Sequence, residues 1–111
     1  MIMGATKTTD YTLQEMSIAK YAKAFSHPAR VAILNLLLKK QACVCGDIVD
    51  ELPLSQSTVS QHLKELKEIG LIKGDIEGAS VCYCIDEKVW NNAKKQLNHL
   101  FDNVNLSSKC C

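Results

Sequence analysis

The sequence predicts a mainly α-helical fold with one small β-hairpin, in the order helix, helix, helix-turn-helix, hairpin, helix. Three observations carry this. Apolar residues recur at helical spacing through most of the chain. The stretch from Leu54 to Gly70 has both the start and the stop signals of a helix, and it follows another short apolar segment after the brief break Leu52-Pro53-Leu54-Ser55. Beyond Gly70 the apolar period falls from 3.6 to 2 in two short runs around Glu77-Gly78, as in a β-hairpin. That order is the winged helix-turn-helix plan, and an unpartnered apolar stripe on the last helix predicts that it is homodimeric.

Size and composition agree. The 111 residues suffice for one domain with a core, and 47% apolar with 23% charged residues is ordinary globular composition. Residues 1–9 read as a flexible N-terminus, 10–104 as the DNA-binding and dimerisation domain, and 105–111 as a flexible cysteine-containing tail. No apolar run is long enough for a bilayer and no signal-peptide core opens the chain, so the expected location is cytoplasmic, with no membrane partner.

Thr12-x-x-Glu15 is a capping-box pattern, with Asp10 a competing cap. The first helix is expected to run to about Phe25, with Ile18, Tyr21, Ala22 and Phe25 on one side. Ser26-His27-Pro28 interrupts it, and Pro28 suits the first turn of a second helix over 28–40. That helix carries Val31, Leu34, Leu37 and Leu38 and ends in Lys39-Lys40, which complement its dipole. A short helix is expected over 46–52, with Ile48, Val49 and Leu52 inward. In the next helix Ser55 is the N-cap and Gly70 the left-handed terminator. Val59, Leu63, Leu66 and Ile69 make its buried stripe, opposite Ser57, Gln61, Lys64 and Glu68. The hairpin strands are Leu71–Ile76 and Ala79–Ile85. Asp86 then caps a final helix with Val89, Ala93, Leu97, Leu100 and Val104 along one side.

The polar side of the Leu54–Gly70 helix reads as a nucleic-acid reader. Hydroxyl, amide and amine side chains are the types that exchange hydrogen bonds with base edges and phosphates. The candidate contacts are Gln56, Ser57, Thr58, Ser60, Gln61 and Lys64, with Lys73 on the hairpin; a solvated amphipathic face is the plainer reading of the same residues. His62 lies toward the apolar flank and is expected to be packed and hydrogen-bonded. A net charge of +1 gives no bulk affinity for DNA, and Gln56 to Lys73 holds three lysines against two glutamates. Binding must therefore come from placement, the helix dipole and dimerisation. Two recognition helices would enter successive major grooves of a palindromic double-stranded operator.

Six cysteines fall into three close pairs, Cys43/Cys45, Cys82/Cys84 and Cys110/Cys111. In a reducing compartment such pairs suggest ligands for soft metals or metalloids, or redox chemistry. Cys43 and Cys45 point apart in a regular helix and share a face in extended chain. One ion can hold both only where the helix start is loosened, and distorting it would move the helix that supports the reader. A pair of small buried apolar side chains is the alternative. Cys82 and Cys84 share a strand face opposite Val81, Tyr83 and Ile85, as a second thiolate site or simply a half-exposed strand face. Adjacent Cys110 and Cys111 close a ring only with strain, which favours free thiols able to reach another site. No phosphate loop, nucleophile elbow or Cys-x-x-Cys pair is present, so no enzyme activity and no catalytic cofactor is expected.

Phe25-Ser-His-Pro-Ala-Arg-Val-Ala-Ile-Leu34, Cys43-Val-Cys45, Leu54-Ser-Gln-Ser-Thr-Val-Ser-Gln-His-Leu-Lys-Glu-Leu66, Gly70-Leu-Ile and the hairpin together resemble the ArsR/SmtB family, over about residues 12–104. The resemblance implies a homodimeric bacterial repressor, paired through its first and last helices, that releases DNA on binding a metal ion or metalloid. The Cys-Val-Cys placement implies the arsenic-responsive type: As(III), or a related thiophilic ion, as inducer, with Cys43 and Cys45 as ligands and Cys110 or Cys111 as further candidates. The chain departs from the family in three places. Ile48 stands where arsenic repressors carry a third cysteine, Asp75 and Glu77 lie near a wing tip that often holds arginine, and Asp86-x-Lys88-x₁₀-His99-x₂-Asp102 has lysine in place of a zinc-ligating histidine. The same family pattern turns the 81/83/85 strand face inward. A thiol-based redox-sensing repressor of this fold is the nearest alternative, and a metal-buffering thiol protein without a DNA role is a third.

Overall fold

The computed structural model describes residues 10–41, 43–45, 52–75 and 82–104. Within these lie four helices and three strands: α1 (Leu13–Lys23), α2 (Pro28–Lys40), β1 (Val44–Cys45), α3 (Gln56–Ile69), β2 (Ile72–Asp75), β3 (Cys82–Ile85) and α4 (Glu87–Asp102). The expected short helix over 46–52 lies outside the described residues except for Leu52, which is half-buried against the core. The hairpin tip, Val81, both termini and the Cys110-Cys111 pair also lie outside them.

Local chemistry sets the helix ends. Thr12 caps α1 in a reciprocal capping box: Glu15 N–H donates to Thr12 Oγ1 at 3.0 Å and Thr12 N–H to Glu15 Oε1 at 2.9 Å. Asp10 lies upstream of this cap in a separate helical turn. Pro28 stands at the first position of α2, where its missing N–H costs nothing, and His27 Nδ1 accepts from Ala29 N–H at 2.9 Å. Ser55 caps α3 and Gly70 ends it at φ 102°, a left-handed conformation that glycine adopts without strain. Asp86 caps α4 through Val89 N–H.

The core joins Tyr21 of α1 and Ala24 at its end, Ile33, Leu34 and Leu37 of α2, Val59, Leu63, Leu66 and Ile69 of α3, then Leu71, Ile72, Tyr83 and Ala93. All four α3 residues are the expected stripe. Burying each such side chain contributes about 1.5–3 kcal/mol, enough to fix the rotation of α3 about its axis. Two expectations need correction. On α1, Ala22 and Phe25 are exposed and Ala24 is buried instead. On α2 the buried face is Ala29, Arg30, Ile33, Leu34 and Leu37, while Val31 and Leu38 face out.

The hairpin is part of a three-stranded antiparallel sheet in the order β1-β3-β2. Val44 pairs with Tyr83 and Cys45 with Cys82 on one side of β3; on the other, Lys73 pairs with Cys84 and Asp75 with Cys82. The segment at Cys43 to Cys45, expected to open a helix, is therefore extended. A side chain at Gly74 would strike the Cys82 carbonyl, so glycine lets β2 close onto β3. Ring contact between Phe25 and Trp90 and a 2.9 Å hydrogen bond from Asn92 Nδ2 to Tyr21 Oη hold the first half of α4 against α1. Its last turn leaves Leu100 and Phe101 exposed, and Val104 just beyond it is exposed too. No helix among the described residues is long and apolar enough to cross a membrane.

Candidate nucleic-acid interface and thiol cluster

The apolar stripe of α3 points into the core, so the opposite face is presented outward. Gln56, Ser57, Ser60, Gln61 and Lys64 are all exposed on it, as is Lys73 on β2. Thr58 differs: it is half-buried, with its hydroxyl 2.9 Å from Ser55 Oγ inside the cap. Ser55 Oγ also accepts from Thr58 N–H at 3.3 Å and lies 3.2 Å from Ser57 Oγ. The positive end of the helix dipole thus sits among small hydroxyls, where an anion is favoured.

Beneath this face a buried cation holds α3 in place. Arg30 enters the core side of α2 in the register of Ile33, Leu34 and Leu37, and is 7% exposed. Its Nη1 donates to the Lys23 carbonyl at 2.9 Å and its Nε to His62 Nδ1 at 3.2 Å, while Nη2 is ion-paired with Glu65. One side chain therefore ties the end of α1 and the start of α2 to the middle of α3. Sequence reasoning missed this clasp. The available signal was a charge at the first position of an i, i+3, i+4, i+7 apolar set, Arg30/Ile33/Leu34/Leu37, where a cation must be paired. His62 is packed and hydrogen-bonded as expected, its ring 4.8 Å from that of His27. Burial first, then the nearby His27 and the Arg30 cation, hold its pKa below the ordinary histidine value.

The cysteines are grouped differently from the expected pairs. Cys43, just before β1, meets Cys84 of β3; the two are joined as a disulfide with Cα atoms 4.3 Å apart and a sequence separation of 41. Cys82 is half-buried and also disulfide-bonded. Cys45 stands at the register position opposite Cys82. On the other face of the same strands, Tyr83 is in the core with Ile85 and Val44 packed on it, as the strand alternation predicts. The Cys43 and Cys84 side chains line an open cleft with Lys73, Leu38, Glu87 and Trp90. Because Cys43-Val-Cys45 is extended, no helical turn has to loosen for its two cysteines to lie on one face.

Among the described residues no three cysteine, histidine or carboxylate side chains stand together as a metal site. In the zinc-type pattern of the last helix, Asp86 is occupied as the α4 cap and Lys88, His99 and Asp102 are exposed.

Comparison with known proteins gives the following. Residues 27–73 match the family described as bacterial regulatory protein, arsR family, a span that takes in the Arg30 clasp, Cys43, Cys45 and all of α3. An uncharacterized HTH-type transcriptional regulator of Methanocaldococcus jannaschii is 42% identical over 73 residues, covering 64% of this chain and 81% of that protein. A cadmium resistance transcriptional regulatory protein homolog of Staphylococcus aureus is 39% identical over 74 residues, covering 66% of this chain but only 60% of that one. The crystal structure of an ArsR family transcriptional regulator superposes with a TM-score of 0.64 at 15% identity, over 82% of this chain and 96% of the other, and so shares the fold.

Proposed function

The chain belongs to the arsR family of bacterial regulatory proteins, and we propose that it is a cytoplasmic, homodimeric repressor released from its operator by a thiophilic ion, trivalent arsenic foremost. The ion is bound by cysteine thiolates that include Cys43 and Cys45. The observation that carries the DNA reading is the exposed Gln56, Ser57, Ser60, Gln61 and Lys64 set on a helix whose other face is locked into the core. Lys73 adds a phosphate contact from the sheet, and Thr58 acts through the cap that shapes the helix start. The cadmium resistance relative supports a soft-ion inducer. The exposed Leu100 and Phe101 of α4 and Val104 just beyond it, with Leu13 of α1 and Tyr11 just before it, support pairing through the first and last helices. A dimer of this kind reads two half-sites about one helical turn apart.

The test is a gel shift on the chain's own upstream DNA. Binding is expected to weaken steeply with salt, and arsenite is expected to release it. Replacing Cys43 and Cys45 by serine should keep binding and abolish release. No salt-dependent binding at all would sink the repressor reading. Release that survives the double replacement would move the sensor to other thiols, Cys110 and Cys111 being the first to try.

The disulfide between Cys43 and Cys84 favours a second reading in which the signal is oxidation. Two thiols give up two electrons and two protons, reducing one hydrogen peroxide to two waters, and the new bond changes the fit of α3 on DNA. Release by peroxide in metal-free protein, reversed by a thiol reductant, distinguishes it.

A further inference from the structure

We propose that Cys84 is the third thiolate for the inducing ion, and that Cys82 can supply a fourth, in a site laid across β1 and β3. The proposal rests on the soft-ion reading above and names the ligands that reading lacks. Ile48 occupies the place where a third cysteine on the following helix would stand. The sheet register supplies a replacement from a segment far along the chain.

The argument is geometric. In an antiparallel pair, residues directly opposite each other place their side chains on the same face, and residues two apart on one strand do likewise. Cys43 is opposite Cys84, and Cys45 opposite Cys82, with the pair of buried Tyr83 and half-buried Val44 between them on the other face. All four cysteine positions therefore belong to one side of the sheet. The Cα separation of 4.3 Å at Cys43–Cys84 is that of the close, non-hydrogen-bonded type of pair, in which side chains approach most nearly. The next opposed pair of that type is two residues on, at Cys45 and Cys82. Along a strand two residues span roughly 6.6 Å. The four register positions thus mark the corners of one small rectangle, the scale of a tetrahedral thiolate site, whose sulfurs lie roughly 3.8 Å apart with metal–sulfur bonds of about 2.3 Å. Lys73 is the register partner of Cys84 on β2 and lines the same cleft, so its ammonium offsets the thiolate charge.

The disulfides of Cys43–Cys84 and of Cys82 are the oxidised form of this face. Each is reduced by two small-molecule thiols, giving its two cysteine thiols and one small-molecule disulfide. Arsenite then condenses with three thiols, exchanging three As–O bonds for three As–S bonds and releasing three waters; a divalent ion takes four thiols and releases four protons. Either ion ties β1, which precedes α3, to β3, which pairs with β2 immediately after it. The ion thus grips the chain on both sides of the reading helix.

The test uses the full chain, reduced and kept oxygen-free, titrated with cadmium(II) while sulfur-to-metal charge-transfer absorbance is followed. Cys84→Ser is expected to remove about one thiolate's share of that absorbance and to weaken binding by about tenfold or more. Cys82→Ser is expected to do the same for cadmium and to leave three-thiolate arsenite binding intact. The Cys110→Ser/Cys111→Ser pair should leave the spectrum unchanged. Helical content checks the fold, and Cys84→Ala repeats the measurement if the serine variant does not fold. An unaltered spectrum and affinity in Cys84→Ser and Cys84→Ala would overturn the proposal, as would loss of the absorbance in the tail variant instead. If the Cys43→Ser/Cys45→Ser protein itself binds cadmium like the parent, the wider soft-ion reading fails too; if only the Cys84 variants do, this proposal alone fails.

Discussion

Two groups of polar side chains hold α3, and they differ in kind. Under its core face, the Arg30 clasp joins the guanidinium to the Lys23 carbonyl, His62 and Glu65. On the sheet that flanks it, Cys43 meets Cys84 beside Lys73. A guanidinium is never deprotonated under ordinary conditions, so the cation at the centre of the clasp has one chemical state. Thiols have several: protonated, oxidised or ion-bound. The difference separates what keeps the helix in place from what, on the function proposed above, moves it, and each group is open to being broken separately.

The largest effect is expected at the clasp. Arg30→Met removes three polar contacts and leaves Glu65 without its partner at a side chain still 30% exposed. Breaking a buried pair costs about 3–5 kcal/mol, and this exposure lowers the expected loss to about 2–3 kcal/mol. Denaturant unfolding should report it equally in reduced and oxidised protein, with DNA affinity falling as well. A loss below about 0.5 kcal/mol would mean that packing alone positions α3.

The thiols should behave in the opposite way. Cys43→Ser/Cys45→Ser is expected to leave the stability of the reduced protein within about 0.5 kcal/mol of the parent. The ion-induced fall in operator affinity, a coupling of roughly 5–150-fold in systems of this type, should vanish. Operator titrations with and without arsenite measure it. A double variant that unfolds early would make the thiol face a structural staple, and the contrast with the clasp would collapse.

These two groups were also unequally legible. The whole of α3 could be read in advance because three independent signals agree: the Ser55 cap, the Val59/Leu63/Leu66/Ile69 stripe and the Gly70 stop. On α2 nearly every residue from Val31 to Leu38 is apolar, so two helical registers fit equally well, and the one that excluded Arg30 was the more natural choice. The burial of Arg30 decides the register, and that depends on Glu65 and His62 more than thirty residues away. β1 was illegible for a different reason. Two residues carry no period, and only pairing with β3 makes Val44–Cys45 a strand. The residue types of the candidate site were readable, whereas the grouping of its thiols depended on register. The unpartnered end of α4 was legible as an amphipathic stripe outlasting its neighbour α1.

A smaller effect tests whether the helix start matters on its own. Ser55→Ala deletes the hydroxyl that bonds Thr58 N–H and contacts the Ser57 and Thr58 hydroxyls. The expected loss is about 1 kcal/mol of stability. Operator affinity should fall further than that stability loss predicts, because Ser57 and Thr58 lose their fixed placement. Gel shifts at a temperature where the variant is fully folded separate the two. Equal operator affinity would remove Thr58 from the interface altogether.

The smallest effect is a pH dependence inside the clasp. His62 accepts from Arg30 Nε, so it is neutral there, and its pKa lies below the ordinary histidine value near 6.5 because of burial, His27 and the Arg30 cation. The unfolded chain keeps the ordinary value. As pH falls through about 6.5 the unfolded state gains a proton at this histidine before the folded state does. Stability from this residue is therefore complete above that pH and declines below it, until the folded-state pKa is reached. His62→Gln keeps an acceptor for Arg30 without a titrating ring, and should flatten that part of the stability profile between about pH 7.5 and 5. Replacing Cys43 and Cys45 should leave the profile unchanged. A profile that flattened with the cysteines and not with His62 would place the proton-sensitive element on the sheet, and the clasp would lose its claim to be separate from it.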